Sequence, residues 1–143
     1  MEKIAKKKII IQGIIFAISF AIAFFGANYF FSKNKETPNE MLVKASKQMN
    51  QSMPKMVDSE TRLDSTSVET SILKYHYTLI NTVKDSSDMD FDFIKLTMTK
   101  KAQVNLDTNA AMKEYRENDV SLQYIFNDKN QNEVFEYTVK HQK

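Results

Sequence analysis

The pattern of apolar and polar positions divides the chain into one long apolar run and a longer stretch of mixed periodicity. Residues 9–31, IIIQGIIFAISFAIAFFGANYFF, carry no charged side chain. At about 1.5 Å rise per residue, a helix of this run is about 35 Å long, enough for a hydrocarbon core of about 30 Å. A helix closes its own backbone hydrogen bonds in lipid, so the run is predicted to be helical despite its many Ile and Phe. Lys3, Lys6, Lys7 and Lys8 precede it; only Lys33 and Lys35 follow closely. The excess of lysine on the first side predicts a cytoplasmic N-terminus and a C-terminal domain across the membrane. Lys6, Lys7 and Lys8 anchor the inner end, and Tyr29 suits the outer interface. A cleaved signal peptide fits less well: the run is too long, and bulky Phe25 stands where a small residue is needed before Gly26-Ala27. The expected organisation is a cytoplasmic basic segment (1–8), a transmembrane helix (9–31), a linker (32–37) and an outer domain (38–143).

The outer domain reads as separate elements. Thr37-Pro38-Asn39-Glu40 fits a capping box, and Met41, Ala45, Met49 and Met53 follow at a spacing of four beside Leu42. A helix over about 38–52 is expected, stopped by Pro54. Residues 55–69 alternate weakly and predict an edge strand near 60–68, with Val57, Thr61 and Leu63 inward. In 72–81 the alternation is clear: Leu73, Tyr75, Tyr77 and Leu79 share one face, which predicts a central strand. Phe91, Ile94, Met98 and Ala102 recur at helical spacing, with Leu96 and Val104 broadening the face, so a helix is expected over about 88–105. A short helix over 109–117, capped by Thr108, turns Ala111, Met112 and Tyr115 to the core. Residues 119–126 and 133–140 read as a hairpin joined by Asn127–Asn132, whose Asn and Asp side chains suit left-handed turn positions. This order predicts an α+β domain with helices on one face of a four-stranded antiparallel sheet.

Composition narrows the chemistry. The chain has no Cys, and both glycines precede residue 27. This excludes disulfides, Cys-held metals, a thiol nucleophile and a lipid-acylated Cys; a glycine loop for phosphates is absent from the outer domain. Residues 1–35 carry a net charge of +5 and the rest −3, within an overall +2. A mildly acidic outer domain does not suit nucleic acid, whose phosphates require a basic surface. Asp88, Asp90 and Asp92 invite a calcium reading but lack the turn glycine and distal acid of an EF-hand loop. Negative charge at a helix N-terminus explains them better. Asp128, Asn130 and Asn132 imitate the first half of such a loop, yet Glu133 and Val139 stand where the glycine and acid are needed. A hairpin turn is the simpler reading. His76 and His141 are the only imidazoles, and no spacing marks a Ser-His-Asp unit. Both read as ordinary surface residues. No catalytic residue, metal ligand or cofactor site is assigned.

The strongest constellation for interaction is aromatic. Tyr75, Tyr77, Tyr124, Phe126, Phe135 and Tyr137 fall on strands expected to pair. Simple cross-strand packing accounts for such rings, while any left on the open face, with Tyr75, Tyr77, Tyr124, Phe135 and Tyr137 as candidates, would form a partner surface. The last strand also offers an edge to an added strand.

The stretch Pro54-Lys55-Met56-Val57-Asp58-Ser59-Glu60-Thr61-Arg62-Leu63-Asp64, with Tyr75-His76-Tyr77-Thr78-Leu79, resembles a group of small uncharacterised bacterial envelope proteins. Asn109–Lys113 and Val120-Ser121-Leu122-Gln123-Tyr124, with the Asn/Asp turn, are similar to these and, more faintly, to the pilotin of type II secretion systems. The resemblance covers about residues 45–140 and implies a pilotin-like α+β domain in the periplasm of a Gram-negative bacterium. Pilotins hold a segment of an outer-membrane secretin. Members commonly carry a cysteine pair; here Asp107 occupies about the first place and the chain ends near the second. They also carry a lipid anchor, whereas a spanning helix would keep this chain in the inner membrane.

The expected function is therefore that of a single-pass inner-membrane protein. Its periplasmic domain binds another envelope protein without catalysis, as an accessory of a secretion or other envelope assembly. The alternatives are a small envelope enzyme of unrecognised type and a domain binding a small apolar ligand between helices and sheet.

Overall fold

The computed structural model describes residues 36–143. The span expected over 9–31, with Lys6, Lys7, Lys8 and Tyr29, lies outside the described residues. Among the described residues no helix is long and apolar enough to cross a membrane.

Helix α1 is Pro38–Asn50. The Thr37 hydroxyl accepts from the Glu40 N–H, and the Glu40 carboxylate accepts from the Thr37 N–H at 2.8 Å, closing the expected capping box. Leu42, Ala45, Ser46 and Met49 form its buried face.

Strands β1 (Lys55–Met56), β2 (Thr61–Glu69), β3 (Ile72–Leu79), β4 (Ser121–Asp128) and β5 (Glu133–Val139) form one sheet in that order. The expectation of four antiparallel strands is corrected in two ways. Two-residue β1 adds a fifth strand, and β3 pairs β4 in parallel, Tyr75 opposite Tyr124. Between them lie helices α2 (Phe91–Thr108) and α3 (Lys113–Glu117). A short turn reverses the chain, but a helical crossover of this length returns it to the end where β3 began, and the next strand runs the same way.

The β2–β3 hairpin departs from regular alternation at a bulge and closes through a left-handed turn. The β2–β3 register shifts between Leu63 and Ser65. Thr61 and Leu63 are buried before this bulge, Thr66 after it. The extra residue moves the inward set by one position, so strict alternation fails across Asp64. Thr70 (φ 32°) and Ser71 (φ 62°) form the two-residue turn into β3, left-handed without glycine.

Both long helices cover the same sheet face, α1 packing on β2 and α2 on β5. In α2, Ile94, Met98, Ala102 and Leu106 face inward. Leu96 and Val104 do not broaden that face: they are 53% and 60% exposed. A two-residue step turns an α-helix by about 200°, which carries Leu96 and Val104 to the far side from Ile94 and Ala102. The short helix expected over 109–117 is a 3-10 turn (Ala110–Met112) followed by α3. Its cap is Asn109 rather than Thr108, accepting from the Ala111 N–H at 2.9 Å. Met112 and Tyr115 are buried and Ala111 is exposed.

Candidate functional site

The aromatic residues come together, but inward. Register stacks Tyr75, Tyr124 and Tyr137 across three strands, with ring centres 5.2 and 4.9 Å apart. Tyr77, Phe126 and Phe135 form a second row, 4.7 Å at each step. All six are buried under the helices, so none supplies a surface for a partner in the folded domain. They act as cross-strand packing, the stacking of large apolar areas along the pleat. Burial raises the phenols of Tyr75, Tyr77, Tyr115, Tyr124 and Tyr137 and keeps them neutral. Tyr75 and Tyr115 share a hydrogen bond. The hydroxyls of Tyr77, Tyr124 and Tyr137 have no partner among the described residues.

The acidic runs do structural work. Asp90 caps α2, accepting from the Phe93 N–H at 2.9 Å, and Asp92 sits in the first turn. Buried Asp128 organises the β4–β5 turn, accepting from the backbone N–H groups of Lys84, Asn130 and Asn132 at 2.8–3.0 Å. The Lys84 bond first, and then those of the turn, hold its carboxyl below the usual range. The left-handed residue of this turn is Gln131, not an Asn or Asp.

His76 lies on the open sheet face, and its Nε2 is 2.7 Å from the Ser67 hydroxyl across the β2–β3 pair. Partial burial lowers its pKa, with Lys74 adding to the effect and Asp64 opposing it. Asp64 bonds Arg62 and Thr78, and among the described residues no carboxylate bonds the His76 ring as one does to orient the base of a nucleophilic triad. The pair is a cross-strand polar contact. His141, read from the sequence as a loose terminal residue, is docked: its Nδ1 lies 2.6 Å from Asp107. Gln103 donates to both Asp107 and the Lys140 carbonyl. The Gln103 bond first, then His141, lowers the Asp107 carboxyl. A polar cluster thus ties the C-terminal tail to α2 at the residue where the resemblance expects a cysteine.

Two features remain outward and unspent. The first is the pair of sheet edges. On the β2 side the edge is closed by β1 and then by a side chain: Asn50 accepts from the Thr66 N–H at 2.7 Å and donates to the Thr66 carbonyl at 2.9 Å. This amide does what a neighbouring strand would do for that residue. On the other side β5 ends the sheet with no neighbouring strand among the described residues. The second feature is the outer face of α2, where Phe93 (55% exposed) joins Leu96 and Val104. Sequence reasoning missed Phe93, although its spacing of three to Leu96 and of eleven to Val104 marks one helix face.

The family model described as Domain of unknown function (DUF8479) matches residues 36–135. Among solved structures, a protein of Pseudomonas aeruginosa described as secreted is 15% identical with a TM-score of 0.58, over 73% of this chain and 88% of that one. EpsS, the pilotin of the Vibrio vulnificus type 2 secretion system, is 8% identical with a TM-score of 0.55, over 71% and 86%. No curated protein matches the sequence. These identities carry likeness of fold alone, and the fold is pilotin-like. Since the family model spans most of its length, the chain belongs to the DUF8479 family.

Proposed function

We propose that this chain is a non-catalytic protein-binding module of the bacterial envelope, whose domain is held on the periplasmic side by a membrane-spanning helix over 9–31. One observation carries the binding role: the sheet closes one edge with β1 and Asn50 and leaves the other, β5, open. Closed edges are how folded proteins avoid unwanted pairing, so a strand that ends the sheet, with the Glu133 carbonyl at its start taken by the Lys84 ammonium, invites an extended partner segment along the rest of its length. Such a segment would take main-chain hydrogen bonds from β5 and touch exposed Glu136 and Thr138 beside it. Fold likeness to a type 2 secretion pilotin supports a place in a secretion or other envelope assembly. The uncharged run and its lysine flank support the inner-membrane anchor.

The test is site-specific photocrosslinking of the full-length chain in cells. A photoreactive residue at Glu136 or Thr138 is expected to yield one envelope adduct of defined mass, absent when the probe replaces Ser67 on β2. Equal adducts from both edges, or none from β5, would refute the edge reading. Separately, the full-length chain is expected to stay with membranes through a carbonate wash, and a reporter fused after Lys143 to be active outside the cytoplasm.

A further inference from the structure

The outer face of α2 has the chemistry of a lipid interface. Phe93, Leu96, Lys100 and Val104 lie at spacings of three and four, which places them in one line along the helix. Lys100 and Lys101 pair with no acid among the described residues. Together with Val104, Asn105 and Thr108 they line a shallow open depression of about 380 Å³. The Asn105 Nδ2 donor there has no hydrogen-bond partner among the described residues. Apolar side chains interleaved with lysines on a convex helix suit a flat anionic surface, whereas a protein helix would need a groove to seat in.

The position of the chain entry argues for the same occupant. Asn39 Oδ1 accepts from the Ser71 N–H, and the Ser71 carbonyl accepts from the Ser121 N–H. Leu122 pairs with Val139, and Gln103 donates to the Lys140 carbonyl. This chain of contacts puts the start of α1 and the C-terminal half of α2 at one end of the sheet. Residues 32–37 reach at most about 20 Å when extended, so a span over 9–31 would hold this end near the bilayer. The domain as a whole is acidic and would be repelled from anionic lipid; Lys100 and Lys101 give this face the local positive charge that offsets the repulsion.

We infer that the Phe93–Val104 face of α2 docks on an anionic phospholipid surface, laying the domain against the membrane that anchors it. This rests on the proposed anchor, and the experiment separates the two. The chain has no cysteine, so Leu96→Cys, Val104→Cys and, on the outer face of α1, Lys47→Cys each give a single labelling site in the full-length protein. The labelled chains are reconstituted in phosphatidylcholine vesicles with or without phosphatidylglycerol. In anionic vesicles, labels at 96 and 104 are expected to be quenched by lipid-borne spin labels and shielded from an aqueous quencher, while the label at 47 stays water-exposed. Lys100→Glu with Lys101→Glu, or high salt, is expected to reduce the docked-to-undocked ratio by about thirty-fold or more. Unchanged melting would show that these surface variants still fold. Labels at 96 and 104 as exposed as at 47, in chains that float with the vesicles, would overturn the docking and leave the anchor standing. Chains that fail to float would overturn both. Shielding seen in native membranes but not in protein-free vesicles would also overturn it, assigning the face to a protein.

Discussion

The two flanks of the sheet bury the same chemistry and differ in what they expose. On the β2 flank, α1 packs Leu42, Ala45 and Met49 inward and turns Glu40, Lys44, Lys47 and Gln48 to solvent; the strand edge beneath it is stopped by β1 and Asn50. On the β5 flank, α2 packs Ile94, Met98, Ala102 and Leu106 inward, yet shows Phe93, Leu96 and Val104 outside, over a strand with an open edge. Both inner faces bury apolar side chains against the sheet. The outward apolar residues of α2 therefore add nothing that the core requires, and exposed large apolar side chains grouped on one face mark contact surfaces.

The largest effects should test this division directly. Leu42→Ala in α1 and Met98→Ala in α2 are each expected to cost about 2–5 kcal/mol, because both leave a cavity in a packed interior. Phe93→Ser, Leu96→Ser and Val104→Ser should each stay within about 0.5 kcal/mol in urea unfolding, as exposed substitutions do. An outward substitution as costly as an inward one would break the comparison.

A middle-sized effect is expected at the closed edge. Asn50→Ala removes both amide bonds to the Thr66 backbone and should cost about 1–3 kcal/mol. Faster hydrogen exchange at the Thr66 amide would show that the edge itself had opened; unchanged exchange would mean that β2 needs no such cover.

The smallest effect concerns acid. Glu40 is held low by the Thr37 backbone N–H, and Asp107 by Gln103 and then His141, one such carboxyl on each flank. A carboxyl with a lower pKa when folded takes up protons preferentially in the unfolded chain as the pH falls. Its contribution is complete above the ordinary carboxylate range and is lost as pH drops through the depressed value. Glu40→Gln and Asp107→Asn should each shallow the acid limb of the stability curve slightly, read by circular dichroism below about pH 5. Asp107→Asn should in addition free the tail at His141, a change visible by exchange at residues 140–143 and absent in Glu40→Gln.

Legibility followed the physics of each element. The capping box at Thr37 and the alternation from Leu73 to Leu79 depend on neighbours in sequence, and they fold as read. The β2 signal was faint because a bulge at Asp64 changes which residues face inward, an event set by pairing with β3. Leu96 and Val104 share the apolar character of the core residues, but the turn of the helix carries them to its solvent side. The rings of Tyr75, Tyr77, Tyr124, Phe135 and Tyr137 were legible as a group, but not their burial, since which face of a sheet is covered depends on where the helices land. Asp107 and His141 lie far apart in sequence, and Asn50 and Thr66 belong to different elements; nothing local announces either pair.

By itself, then, the sequence determined what is encoded within a few residues: the helices and the Thr37 capping box, the clear strands, the absence of thiol and glycine-loop chemistry, and the separation of a lysine-flanked apolar run from a mildly acidic domain. Only the tertiary structure decided the parallel β3–β4 pairing, the burial of the aromatic rows, the sealing of one edge by Asn50, and the exposure of the α2 face. Each of those depends on contacts between residues distant in the chain, and periodicity carries no information about which distant partner will arrive.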